Sequence, residues 1–545
     1  MSRIARSPLA LLAAIVLLRS AGFVFGVLNI DESDFILFGT GIARGMLPYR
    51  DIVDIKPPLV YIAYLPAGLF GGMQVWPMRL FSVLWVFATA LLLRAGVRRW
   101  LTPGMGAELS SRNTAADAPD APSALASQQR DPGFAADAGQ AAAWLYLLSL
   151  LCELPQFSGE VVLNLFAALA LYLFARACDP ASTRRTLLIG LSGLSAALAS
   201  LCKHQGAVLL VALGGALALQ LLVSLRADRS ASRAALLGEL AALALGFALP
   251  WAASFAFYAA LDQLPSFIDW VFTRNFQYAG KGMAGSAPAR FFQSTLLCCG
   301  ATLLPWALAL RSCLRSARAR ELWRDPFLLA ATLLLLLTWA AVGAGGRFYE
   351  HYYLQFAVPL ALLGAREAAR LARGSRDLRK SLRWALALGC ALPALGLTGY
   401  SWARGISRNY PGQDAKVLEV SAFLDANSRA DETLFVWGHE SPLYLLSRRM
   451  PGTRYINTSV HMGNFDPAHL PESFDASQFR SEKDVALTLR DLEVRRPDII
   501  VDTAPADIHE WHKIPLRAFP SLQRYIETNY RLIGHPAGAD VYRRR

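Results

Sequence analysis

Apolar runs of about 20 residues recur from the N-terminus to near residue 401 of this 545-residue chain, and a run of that length matches the hydrocarbon thickness of a bilayer. No water is present there to satisfy backbone N–H and C=O groups, so such runs fold as helices. Spanning helices are expected at about 8–28, 77–96, 139–153, 161–177, 187–202, 206–225, 235–260, 291–310, 326–343, 353–366 and 383–401. Only 17% of the residues are charged, against about a quarter in soluble proteins, and the deficit lies before Tyr400. The expected fold class is a polytopic α-helical membrane protein of about eleven transmembrane helices, residues 1–401, with a C-terminal soluble α/β domain, residues 402–545.

The net charge of +13 could suggest nucleic acid, but the basic residues cluster in short loops on alternate sides of the apolar runs. That is the positive-inside pattern, and it excludes nucleic acid as the partner. A cytoplasmic N-terminus puts Arg98, Arg99, Arg112, Arg184, Arg185, Arg226, Arg229, Arg233, "RSCLRSARARELWR" and "REAARLARGSRDLRKSLR" inside. Arg3 and Arg6 before "PLALLAAIVLL" resemble a signal peptide, yet the apolar character resumes after Arg19, which favours an uncleaved first helix. The charge assignment holds only if "LVYIAYLPAGLFGG", residues 59–72, does not span; as helix it would cover only about 20 Å. Residues 29–76 then form one external loop with interfacial helices, and the tail also lies outside. Residues 101–138, rich in Ala, Ser, Asp and Pro, read as a disordered cytoplasmic insertion. All 7 cysteines lie in or beside apolar segments, so no disulfide framework is expected in the tail.

In the tail, "AKVLEVSAFLDANS", "EKDVALTLRDLEVRR" and "LRAFPSLQRYIETNY" read as helices, and "ETLFVWG", "TRYIN" and "PDIIVDT" as strands. Alternation of this kind predicts a largely parallel sheet. No internal repeat is visible, so the inverted-repeat signature of a secondary transporter is missing.

The external loop is where acids concentrate: "NIDESDFILFGTGIARGMLPYRDIVDIKPPL" carries Asp31, Glu32, Asp34, Asp51, Asp54 and Lys56. Other outer turns supply Glu153, Gln156, Ser158 and Glu160; Lys203, His204 and Gln205 of "CKHQG"; Arg274, Asn275, Gln277 and Lys281; and Arg347, Tyr349, Glu350, His351 and Tyr352 of "GGRFYEHYYLQ". Carboxylates and cations are thus expected together on one membrane face, where desolvation is costly unless they pair or act on a ligand. A sugar carried on a polyprenyl phosphate suits such a set. The departing phosphate needs Lys or Arg, the acceptor hydroxyl needs a carboxylate base, and attack opposite the leaving group inverts the anomeric centre. Plainer roles exist for each group: Asp31 and Glu32 as first-turn acids, Asp34 as a structural acid, Lys-Pro-Pro as a helix start, and Lys203 with His204 as interfacial ends. Arg347 and His351, four apart, are expected on one helix face, with Glu350 as an ion-pair partner. Arg19, mid-span, needs a carboxylate or a wet cavity. "HEWH", from His509 to His512, lacks the context of a metal-hydrolase helix.

The stretches "DESD", "YRDIVDIKPPL", "CKHQG" and "GGRFYEHYYLQFAVPLALLGA" resemble the membrane glycosyltransferases of the GT-C fold. Within them, the chain is most similar to the bacterial branch of the protein-mannosyltransferase and aminoarabinose-transferase superfamily. The resemblance covers most of residues 8–366. It implies an inverting hexosyl or pentosyl transfer from a polyprenyl-phosphate sugar at the outer face of the bacterial inner membrane. The acceptor would be a hydroxyl of lipopolysaccharide, another lipid or a protein. Asp31, with Glu32, would be catalytic; Lys56 and Lys203 would approach the donor phosphate, and Asp54, Arg347, Tyr349, Glu350 and His351 would line the substrate site. One departure stands out: the aminoarabinose transferases carry Glu directly before this Lys, where the chain has Ile55. No cofactor and no dedicated metal cage is expected, although the loop acids could recruit a divalent cation. Rival readings are a lipid-linked sugar flippase, which would favour ionisable groups at the midplane, and an O-antigen ligase or polymerase.

Overall fold

The computed structural model describes residues 7–102, 132–153, 155–226, 230–280, 287–463, 467 and 470–545. The fold is mostly helical. Among the described residues seven helices are long and apolar enough to cross a membrane: Trp76–Leu101, Gly159–Ala177, Arg185–Cys202, His204–Val223, Arg233–Ala260, Pro326–Gly343 and Arg379–Ile406. An eighth is added if Ala287–Ala301 and Leu303–Arg318, bent by 88°, count as one broken span. The remaining expected spans are shorter helices. Pro8–Leu18 stops at Arg19, Pro132–Leu148 has 17 residues, and Ala357–Ala372 has 16 and follows the 3-10 turn Glu350–Phe356. Residues 59–72 fall in a short apolar helix, Pro58–Gly71. Most of the expected insertion lies outside the described residues, but residues 132–138 are helical rather than disordered.

The chain forms two compact units. One takes Met1–Arg19, Ser82–Phe257 and Gly285–Gly399; the other takes Ser20–Phe81, Tyr258–Ala284 and Tyr400–Arg545. In the first, the guanidinium of Arg19 donates to the carbonyls of Pro155 at 2.8 Å and Gln156 at 2.5 Å. Its Nε also donates to Ser82 Oγ at 3.3 Å, so these bonds go to neutral oxygens. The buried turn at Pro155 and Gln156 supplies acceptors that a buried charge needs.

The second unit contains a four-stranded sheet ordered β1-β2-β4-β3. Strand β1 (Leu434–Trp437) runs parallel to β2 (Ile499–Asp502); β2 is antiparallel to β4 (Asp540–Arg544), which is antiparallel to β3 (Tyr530–Gly534). The sheet is therefore mixed. "TRYIN" is not a strand: the chain reaches β1 in one bridge, Leu434 to Pro451, and proline has no N–H to continue a ladder. Asp491 then takes the backbone N–H of Arg454 at 2.9 Å and its guanidinium at 2.8 Å, holding the segment aside. The helices Ala415–Asn427, Glu482–Arg495 and Pro520–Asn529 form where expected. Asp414 and Ser481 cap the first two through side-chain oxygens. Trp437, Trp511, Phe519, Leu492 and Ile526 make the core between sheet and helices.

The external loop belongs to this unit and is knitted to the tail. Val53 N–H donates to Arg454 O at 3.0 Å, Arg495 donates to Asp51 O at 3.0 Å, and Ser33 Oγ meets Ser441 Oγ at 2.5 Å. Arg274 clamps Asp484 with two bonds of 3.0 and 2.8 Å.

Candidate active site

The helix Ile30–Ala43 starts where Asn29, in extended backbone, accepts the Asp31 N–H on its side-chain oxygen at 2.7 Å. That cap fixes the first turn, which carries Asp31 and Glu32 and leads into Asp34. Asp31 points outward, with its side chain 39% exposed. Lys56 Nζ donates to Asp31 Oδ1 at 3.1 Å and to Asp54 Oδ2 at 3.3 Å. The Tyr61 hydroxyl donates to Asp54 Oδ2 at 2.9 Å while accepting the Lys56 N–H at 3.2 Å, and the Tyr49 hydroxyl donates to Lys56 O at 2.7 Å. The ammonium also lies 5.0 Å from the centre of the Phe35 ring. Lys56 is thus fixed at both backbone and head. Burial pushes its ammonium down, but Asp31, Asp54 and Asp34 outweigh this and hold it above its ordinary range. Asp54, one residue before Ile55 and only 11% exposed, faces the lysine.

Asp34 is buried in the same cluster. Burial, then the Asp54 carboxylate, push its pKa well above the usual carboxylate range, against Lys56 and a hydrogen bond with Ser441. Glu32 differs from expectation. It is buried in an ion pair with Arg79, whose Nη2 donates to Oε2 at 2.7 Å, and the Leu28 N–H donates to the same oxygen at 3.1 Å. Arg79 in turn donates to Gly22 O at 2.7 Å and Gly26 O at 3.0 Å. Glu32 anchors the helix start to the preceding turn and does not join the accessible acid.

The first unit holds a second polar cluster. Lys203, just after the helix Arg185–Cys202, forms an ion pair with the buried Glu160 and lies 3.8 Å from the Tyr352 ring centre. His351 contacts Tyr352 edge-on at 4.8 Å and stacks on Tyr349 at 5.6 Å. Glu350 accepts from Ser294 Oγ at 3.2 Å, so its carboxylate goes to a hydroxyl. Arg347 is buried in chain without regular structure before the 3-10 turn, so Arg347 and His351 do not share a helix face. The glycines at 345 and 346, both at positive φ, end helical geometry there. His204 stacks on Trp251 at 6.0 Å. A carboxylate at the start of an apolar helix is the sequence signal that marks Glu160 as a partner for a cation.

Of the remaining candidates, Arg274 and Asn275 serve the framework, Asn275 donating to Ile55 O at 2.9 Å. Lys281 and the side chain of Glu153 lie outside the described residues. In "HEWH", His509 pairs with Glu440 at 2.5 Å and His512 with Asp507 and Glu472. Among the described residues no group of three or more His, Cys, Asp and Glu is arranged to hold a metal ion. Between Asp31 and Asp54 the positive charge is the ammonium of Lys56.

Neither a family model nor a curated protein matches the chain. Among solved structures it superposes on ArnT from Cupriavidus metallidurans bound to undecaprenyl phosphate, at TM-score 0.57, 12% identity and 97% of this chain against 96% of that one. The chain has the fold of ArnT. The apo form of ArnT from the same organism gives TM-score 0.55, 12% identity and the same 97% and 96% coverage. An oligosaccharyltransferase from Archaeoglobus fulgidus is matched at TM-score 0.49 and 13% identity, over 99% of this chain and 73% of that one. ArnT, an aminoarabinose transferase, has the GT-C fold, so the fold is the one that the "DESD" and Lys-Pro-Pro stretches resemble. With its apolar helices, the ArnT fold makes the chain a multi-pass membrane protein.

Proposed function

We propose that the chain is an inverting glycosyltransferase that moves one sugar from a polyprenyl-phosphate donor to an acceptor hydroxyl of lipopolysaccharide, another lipid or a protein. The observation that carries this reading is the exposed carboxylate of Asp31 held 3.1 Å from the fixed ammonium of Lys56. The undecaprenyl phosphate bound to ArnT supports a lipid phosphate as the donor's carrier. The acceptor oxygen attacks the anomeric carbon, its proton passes to Asp31, and the C–O bond to phosphate breaks with its electron pair left on the phosphate. Lys56 neutralises that charge and is assigned to the phosphate together with Lys203. In the resting site Lys56 pairs with Asp31; when the donor phosphate shares that ammonium, the carboxylate is released to take the acceptor proton. Asp54 and Tyr61 aim the lysine. Glu160, Arg347, Tyr349, Glu350 and His351 are assigned to substrate contacts or their support, and Glu32 positions the helix. In this reading about eleven membrane helices, residues 1–401, carry a cytoplasmic N-terminus and residues 402–545 form a periplasmic domain of the bacterial inner membrane.

The test is to give purified protein a sugar-loaded polyprenyl phosphate and an acceptor extract, and to follow free polyprenyl phosphate and the mass added to the acceptor. Acceptor-dependent release of the lipid phosphate is expected. Movement of intact donor between leaflets without release would instead make the chain a flippase.

A further inference from the structure

The tail lends one side chain to the helix that bears Asp31. Ser441 stands at the N-cap position of the short helix Pro442–Ser447, yet its hydroxyl makes no capping bond there, the bond for which serine is favoured at that position. It turns instead to the start of Ile30–Ala43, meeting Ser33 Oγ at 2.5 Å and Ile30 O at 3.4 Å, and it shares a hydrogen bond with the carboxyl of Asp34. Ser441 is fully buried, and the chain around it is held on both sides. Thr458 N–H donates to Gly438 O at 3.0 Å, Leu443 N–H donates to Glu440 O at 3.2 Å, and Glu440 pairs with His509 at 2.5 Å.

Counting protons gives this contact a direction, because a hydroxyl donates only once. Ser33 spends its proton on Ile30 O at 2.7 Å, so the 2.5 Å bond between the two hydroxyls is donated by Ser441. With that proton used, the bond between Ser441 and Asp34 is donated by a protonated Asp34. An ionised Asp34 would be bonded only if Ser441 turned its proton away from Ser33, which breaks the chain. Asp34 Oδ1, buried without a hydrogen bond among the described residues, fits the neutral acid, since a bare carboxylate oxygen is far costlier to bury. The charged and titratable groups that face Asp34 are Asp54, Lys56 and Asp31 from the loop and Tyr444 from the tail helix. Lys56 gives its bonds to Asp31 and Asp54. We propose that Ser441 is a positioning residue of the transfer reaction, the middle of a chain Asp34–Ser441–Ser33–Ile30 that fixes the turn under Asp31 and keeps Asp34 neutral, leaving Lys56 to Asp31 and Asp54. This rests on the glycosyltransferase reading and adds to it a residue of the tail.

The experiment gives the purified full chain a sugar-loaded polyprenyl phosphate and measures single-turnover release of the lipid phosphate, with donor binding in parallel. The variants are Ser441→Ala, Ser33→Ala and the two combined. Ser447→Ala is the control, since it removes a buried hydroxyl that donates to Leu443 O at 2.5 Å within the same tail helix. Each single variant should slow release about tenfold with donor binding unchanged. The combined variant should be no slower than either, because both belong to one chain, and Ser447→Ala should keep the wild-type rate. The wild type minus Asp34→Asn infrared difference spectrum near neutral pH should contain the C=O band of an un-ionised carboxyl group. The same difference taken on the Ser441→Ala background should show that band at higher frequency, a shift that a general loss of stability does not produce. Full-rate release by Ser441→Ala, additive losses in the combined variant, or a carboxylate band in place of the un-ionised one overturns the proposal. Absence of release by the wild type would instead sink the glycosyltransferase reading, and the infrared band would then decide the chain by itself.

Discussion

Glu32 and Asp34 sit either side of Ser33 and both are buried, but only Glu32 is clamped by a guanidinium. Removing that carboxylate leaves Arg79 as an uncompensated buried charge, so Glu32→Gln should lower stability by about 3–5 kcal/mol. Thermal unfolding of the purified variant checks this; an unchanged midpoint would mean that Arg79 finds other acceptors. Asp34 gives the opposite sign. Its folded-state pKa lies above the unfolded value of about 3.9, so it keeps a proton in the fold that it loses on unfolding. Stability from this group is full below about pH 4 and is lost as pH rises towards the folded value. Asp34→Asn should therefore gain on the wild type as pH rises from about 4 to 7. A variant less stable than wild type throughout would show Asp34 to be ionised against Lys56. The sequence displayed the acids but not this sorting, because which of four neighbours faces water is set by Arg79 and Ser441, 47 and 408 residues from their partners.

The helix Ile30–Ala43 holds its position by close approach. A Cβ at Gly39 would run into the Tyr64 carbonyl, and one at Gly68 would lie 2.6 Å from Ala43 Cβ. Two small residues let the helix that carries Asp31 lie against the short apolar helix Pro58–Gly71. Gly39→Ala should cost about 1–3 kcal/mol and lower transfer, whereas Gly238→Ala, inside a helix with open space around it, should hold or raise the midpoint in the same unfolding assay. At this scale the apolar runs were the legible part, since length and hydropathy alone carry the signal. The 3-10 turn that separates Arg347 from His351 was hidden by a spacing equally suited to a helix. Strands β3, at the sheet edge, and β4, inside it, were hidden because "YRLIG" and "DVYRR" are short, charged segments without strong alternation.

At the scale of the whole molecule, the tail is structurally part of the loop that bears the candidate base. Asp484 takes two bonds from Arg274 and one from the Tyr455 hydroxyl at 2.8 Å, linking residues 258–280 to the tail. Asp484→Ala removes two charged hydrogen bonds from the half-buried Arg274, which keeps Asp269 at 3.0 Å, so a loss of about 1.5–3 kcal/mol is expected, with faster limited proteolysis of the second unit and reduced transfer. Equal proteolysis rates would show the tail to be independent of the loop. Composition made the boundary near residue 400 visible but gave no sign of this knitting, which rests on single side chains far apart in sequence. Everything functional returns to Asp31 beside Lys56. The most direct measurement is single-turnover release of polyprenyl phosphate from a sugar-loaded donor by wild type, Asp31→Asn and Lys56→Gln, with donor binding measured in parallel. Loss of about 10²–10⁴-fold in rate for Asp31→Asn with donor binding retained is predicted, together with weakened donor binding for Lys56→Gln. Full-rate release by Asp31→Asn would contradict the assignment of Asp31 as the base.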